Sequence, residues 1–122
     1  MLFVDDDERI TQMAEQVLRD ASFEVAALTR SLDALAAFRA DPSRFDVIVL
    51  DQTMPQLSGL ELAAQISAIR RELPIVLLSG MAESLAPRAL EQAGVHTCLP
   101  KPLRLSRLAE VVRALLATSD DE

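Results

Sequence analysis

Several short apolar runs in this chain end on side chains that can do chemistry. Leu2-Phe3-Val4 runs into Asp5, Asp6 and Asp7; Val47-Ile48-Val49-Leu50 runs into Asp51; Ile75-Val76-Leu77-Leu78 runs into Ser79-Gly80. A further stretch, Val95 to Leu99, is followed by Lys101-Pro102. Carboxylates crowded together repel one another, so at least one pKa should rise unless a counter-ion is present. Mg2+ suits such a place, because it takes oxygen ligands and is commonly held by one or two carboxylates plus a phosphate. Lys101 supplies a positive charge for a phosphate oxygen, and Ser79 a hydroxyl donor. A carboxylate that attacks phosphorus forms an acyl phosphate, a form of covalent catalysis open to Asp. Cationic groups would neutralise the equatorial oxygens during transfer. These residue types predict a site for a divalent cation and a phosphoryl group.

Such convergence needs strands laid side by side, and the pattern provides them. After Asp7, an N-cap residue, Ile10, Met13, Ala14, Val17 and Leu18 follow helical spacing. Phe23 to Leu28 predicts a second strand, and Ser31 caps a helix to about Ala40 with Leu32, Leu35, Ala36 and Phe38 inward. Asp46 to Leu50 does not alternate, as expected of a strand covered on both faces. A loop over 51–58 leads to a capping box, Ser58 with Glu61, and a helix with Leu62, Ile66 and Ile69 inward. Strand four starts at Pro74, a helix containing Pro87 spans Ala82 to Ala93, and Gly94 ends it. His96 to Leu99 is strand five, and Leu105, Leu108, Val112 and Leu115 line the last helix.

Alternating strands and helices imply an α/β fold, a five-stranded parallel sheet with helices on both faces. The common strand order is 2-1-3-4-5, flavodoxin-like and doubly wound. It sets the ends of strands 1 and 3 about 4.8 Å apart. Asp5 or Asp6 would face Asp51, with Ser79 adjacent and Lys101 roughly 10 Å off, within reach of a lysine.

The length, 122 residues, fits one domain over 1–122, with an acidic, frayed tail at 118–122. A formal charge of −7 argues against direct nucleic-acid binding. The single cysteine, Cys98, allows no internal disulfide and fits a reducing, cytoplasmic compartment. No run approaches the roughly 20 apolar residues that span a bilayer, and no membrane contact is expected. The very short first strand suggests that the chain starts inside a longer polypeptide or lacks part of that strand.

Taken together the residues resemble the receiver domain of two-component response regulators. The matching elements are Val4-Asp5-Asp6, Val49-Leu50-Asp51, Met54-Pro55 with Gly59, Leu78-Ser79-Gly80 and Lys101-Pro102, in order along nearly the whole chain. The resemblance implies that Asp51 accepts a phosphoryl group from a phosphohistidine. It implies that Asp6, Asp51 and the carbonyl of Thr53 bind Mg2+, with Asp5 assisting through water. It implies that Ser79 and Lys101 contact the phosphoryl group, and that Lys101-Pro102 is cis. Partners would be a histidine kinase or a histidine phosphotransfer domain, and the helix 4–strand 5–helix 5 face could form a homodimer. The chain could be the C-terminal receiver of a hybrid histidine kinase or stand alone. One departure matters: Cys98 stands where such domains usually carry Tyr or Phe, so the usual aromatic switch is absent or replaced.

Plainer readings apply to other residues. Asp7 is a helix cap, Cys98 a small buried hydrophobe, His96 a loop or edge residue, Met13 a core residue, and Arg70-Arg71 a solvated helix end. The competing function is a phosphorylation-independent interaction domain, a pseudo-receiver, which the complete acid set disfavours. A phosphatase of the haloacid-dehalogenase type is disfavoured too, since Thr53 stands where its second acid is needed. Catalysis would extend only to the domain's own aspartyl phosphorylation and dephosphorylation.

Overall fold

Strands without polar alternation fold where both faces are covered. The computed structural model describes residues 1–120, the side chains of Glu83 and of 118–120 apart. The expected acidic tail therefore falls largely outside the described residues. Strands β1 (Leu2–Val4), β3 (Ile48–Asp51) and β4 (Ile75–Ser79) are buried throughout. The less buried β2 (Ala26–Leu28) and β5 (Thr97–Pro100) flank them. All pairs are parallel, in the order β2-β1-β3-β4-β5. The expected topology is borne out.

Side chains alternate across the sheet and build a core on each face. Leu2, Val4, Ile48, Leu50, Ile75 and Leu77 point to a layer holding α2 (Ser31–Ala40), α3 (Gly59–Ile69) and the short α4 (Pro87–Gln92). Phe3, Val49, Val76 and Leu78 point to α1 (Glu8–Asp20) and α5 (Leu105–Asp120). Register pairs Val4 with Leu50, Asp51 with Leu78 and Ser79 with Pro100. The chemically equipped ends of β1, β3, β4 and β5 thus share one edge.

Several local expectations are corrected. The second strand is three residues long because β1 has only three to pair with it. Phe23 instead lies beneath the Arg113 guanidinium, 5.2 Å from its ring centre. The helix over Ala82 to Ala93 is split. A residue before proline avoids helical backbone, so Ala86 is extended and Pro87 opens α4, after a 3-10 turn at Ala82–Ser84. Ser31 is not a cap: Arg30 holds that place without a side-chain bond, and the serine hydroxyl is used elsewhere. Met13, Leu32 and Ile69 are exposed rather than inward. Arg70 is no solvated end, since its guanidinium donates to the carbonyls of Pro42 (2.9 Å) and Phe45 (2.8 Å). His96 accepts at Nδ1 from the Ile75 amide, an edge role as expected. The Lys101-Pro102 bond is cis.

Candidate functional site

Asp51 is the last residue of β3 and only 5% exposed. The chain leaves it through a tightly closed loop. Gly59 donates its amide to the Gln52 carbonyl, and Leu60 its amide to Gln52 Oε1, both at 2.9 Å. Gly59 is needed here, because a Cβ would sit 2.6 Å from the Asp51 carbonyl oxygen and 2.9 Å from the Gln52 Cα. The middle of the loop is tied to α2: Ser31 Oγ donates to the Pro55 carbonyl (3.0 Å) and accepts from the Leu57 amide (3.1 Å). The capping box of Ser58 and Glu61 then starts α3.

The acidic turn after β1 divides its labour. Asp5 is buried, and its Oδ1 accepts from the Asp7 amide at 2.9 Å. Asp7 caps α1 by accepting from the amides of Arg9 and Ile10, as expected. Asp6, between them, is exposed. Oxygens of Asp5, Asp6 and Asp51 all lie within 4.8 Å of one another. Three oxygen donors of one charge, gathered at a mouth open through Asp6, fit a hard divalent cation.

Lys101 Nζ lies 2.7 Å from Asp51 Oδ1 and 3.4 Å from Asp5 Oδ2. Burial pushes the Asp51 carboxyl above the usual carboxylate range; the Lys101 bond opposes that push, and the charges of Asp5 and Asp6 reinforce it. Burial works against the charge on Lys101, but its bond and charge pairing with Asp51 and Asp5 prevail and hold it above the usual lysine value. Ser79 is buried, and its Oγ accepts from the Met81 amide at 3.0 Å. A hydroxyl that accepts still has its own proton to give. The fold therefore gathers Asp5, Asp6, Asp51, Ser79 and Lys101 at one edge, with Thr53 exposed in the loop beside them.

A family model for the response regulator receiver domain matches residues 1–113. This chain is a response regulator receiver domain. The transcriptional regulatory protein PrrA of Mycobacterium tuberculosis is 35% identical over 128 residues, covering 100% of this chain and 54% of that protein. Response regulator MprA of Mycobacterium avium is 33% identical over 123 residues, with 100% and 53% covered. The receiver domain thus spans about half the length of the curated relatives it matches. Among solved structures, the response regulator TrrA of Thermotoga maritima, in complex with Mg2+ and BeF, superposes with a TM-score of 0.82 at 25% identity, covering 93% of this chain and 96% of that one. A receiver domain protein from Clostridium thermocellum has the same fold, with a TM-score of 0.89 at 24% identity and 98% and 94% covered.

Two features of this receiver domain lie outside the gathered set. Cys98 is partly buried against the α2–α4 layer, and burial raises its thiol pKa, as suits a small hydrophobe rather than a reactive group. A largely apolar groove of about 390 Å3 runs between α1 and segment 101–105, shares Asp5 and Lys101 with the site, and includes the exposed Met13. Two polar residues outside the predicted site also bear on it: Ser31, which the sequence pattern assigns to a helix cap, and Thr11 on α1, which it does not single out. Thr11 shares the buried stripe of Ala14 and Leu18. A hydroxyl on an otherwise apolar stripe was the available signal. Among the described residues no helix is long and apolar enough to cross a membrane.

Proposed function

We propose that this receiver domain takes a phosphoryl group from a phosphohistidine onto Asp51 and signals by the rearrangement that follows. The observation that carries this is the buried Asp51 carboxylate, 2.7 Å from Lys101 and within 4.8 Å of the Asp5 and Asp6 oxygens. An Asp51 oxygen attacks phosphorus, the bond from phosphorus to the imidazole nitrogen breaks, and the histidine keeps the electron pair. Asp6, Asp51 and the Thr53 carbonyl would hold Mg2+, with Asp5 assisting through water. When bound, the cation supplies charge neutralisation and a fixed place for a phosphoryl oxygen. Lys101 turns from the Asp51 carboxylate to a phosphoryl oxygen, and Ser79 donates its proton to another. Hydrolysis of the acyl phosphate at the same site resets the domain.

The donor is proposed to be a histidine kinase or a histidine phosphotransfer domain, seated over Met13 and the groove beside α1. Output passes to another protein or another segment of a longer chain, not directly to nucleic acid, given a formal charge of −7. A homodimer through the α4–β5–α5 face is part of the same proposal. None of the relatives named above is a histidine kinase, so a place in a hybrid kinase draws no support from them.

Incubation with acetyl phosphate and Mg2+ should add the mass of one phosphoryl group, labile to hydroxylamine as an acyl phosphate is. Asp51→Asn should abolish the adduct. Full labelling of that variant would refute the assignment, and an unlabelled wild type that still binds its partners would favour the interaction-only reading.

A further inference from the structure

The Asp5 carboxylate is held by the Asp7 amide and by Lys101, and the Asp5 amide donates to the Leu28 carbonyl at 3.2 Å. That leaves the main-chain carbonyl. Sheet pairing of β1 ends at Val4, so this oxygen lies past the ladder. It accepts instead from the Thr11 hydroxyl at 2.8 Å, in a buried bond that reaches across the turn. The same hydroxyl is 2.9 Å from the Asp7 carbonyl. A hydroxyl has a single proton, and the Asp7 carbonyl already accepts from the Thr11 amide at 3.0 Å. Asp5 is therefore the acceptor that depends on it. Thr11 is 4% exposed and touches neither the acid side chains nor Lys101 through any polar atom. Its bonds run to the backbone on both sides of Asp6.

We propose, on the phosphoacceptor reading above, that Thr11 is the positioning residue of the acidic turn: its hydroxyl fixes the backbone of Asp5 to Asp7 and so sets the affinity of the site for a divalent cation. Asp6 has no side-chain anchor of its own among the described hydrogen bonds, so its carboxylate stays near Asp5 and Asp51 only while the backbone on either side is held. Removing the hydroxyl leaves a buried carbonyl without its donor and frees the turn to rotate. Outer-shell partners that orient ligands are typically worth 10-fold to 100-fold in metal affinity.

Thr11→Val keeps volume and branching but deletes the hydroxyl, and Thr11→Ser keeps the hydroxyl. Mg2+ affinity is measured by titration calorimetry on the unphosphorylated protein. The valine variant should bind about tenfold more weakly and the serine variant within about twofold of wild type. Ala14→Gly, on the same helix but apart from the turn, is the control for helix destabilisation and should leave the affinity within about twofold at a comparable loss of melting temperature. If the valine variant is unfolded, Thr11→Ala, favoured by helix propensity, replaces it in the comparison. Equal affinity of the hydroxyl-less variant and wild type overturns the proposal, as does a serine variant as weak as valine. If wild type itself binds no Mg2+, the phosphoacceptor reading falls first and the role of Thr11 falls with it.

Discussion

Asp51 ionises against its own surroundings. Burial raises its pKa in the folded state, helped by Asp5 and Asp6 and opposed by Lys101. The folded chain thus holds that proton more tightly than the unfolded chain does. Ionised Asp51 then costs stability at neutral pH, and the cost vanishes as pH falls below the ordinary carboxylate range. In Mg2+-free buffer, Asp51→Asn should melt above wild type at pH 7, and the gap should close as the pH is lowered toward 4. A wild type that melts above the variant at pH 7 would show Lys101 prevailing over burial. The two neighbouring acids should separate as well. Asp6→Asn should weaken Mg2+ binding by about tenfold or more, while Asp7→Ala, which removes an N-cap, should cost roughly 1 kcal/mol of stability with little change in affinity. Calorimetric titration beside thermal melting distinguishes the two, and equal effects on affinity would contradict the choice of Asp6. The main acids, Ser79 and Lys101 were legible because each closes or follows an apolar run. Thr11 and Ser31 were not, because a hydroxyl on a helix looks like a cap or a surface residue until its distant acceptor is known.

Periodicity located the helices but overstated their buried faces. Met13, Leu32 and Ile69 fit helical spacing, yet each falls at the margin of a stripe only wide enough for its central residues, such as Ala14 and Leu18 on α1. The start of α4 lies later than the pattern placed it, because Pro87 opens the helix rather than lying within it. Two predictions belong to these elements. Ser31→Ala leaves the Pro55 carbonyl and the Leu57 amide without their partner and should cost about 1–3 kcal/mol in denaturant unfolding; no change would mean that the loop is held by Gln52 and Gly59 alone. The second concerns α4, six residues long and without a buried residue among those described. Ser79 Oγ now holds the Met81 amide, so its recruitment to a phosphoryl oxygen disturbs the 3-10 turn that follows. With Cys98 too small to act as a rotating ring, the shift must travel along the backbone. Hydrogen exchange with and without beryllofluoride should change most between Ser79 and Ala93. A response confined to α1 would overturn this route.

At the scale of the molecule, one sheet does two jobs. Its faces carry the two apolar cores, and its C-terminal edge gathers like charges that the cores must hold together. The alternation of runs and helices made this division legible, because five parallel strands in this order leave only one edge for those side chains. The course of each loop was not legible, since it depends on bonds such as Arg70 to Phe45 that cross 25 residues. A fold that holds carboxylates together against repulsion is stabilised by whatever binds them only in that arrangement. Mg2+ at ten times its dissociation constant should add about 1.4 kcal/mol, or roughly 3–6 °C in melting midpoint for a domain of this size. Sodium chloride at matched ionic strength screens exposed charges but cannot bridge the buried pair of Asp5 and Asp51, so it should give a much smaller rise. Asp6→Asn should lower the Mg2+ increment far more than the small sodium increment. Thermal melts of the two proteins in the two salts check this, and equal increments from both salts would mean that the acidic edge is only screened and not bound.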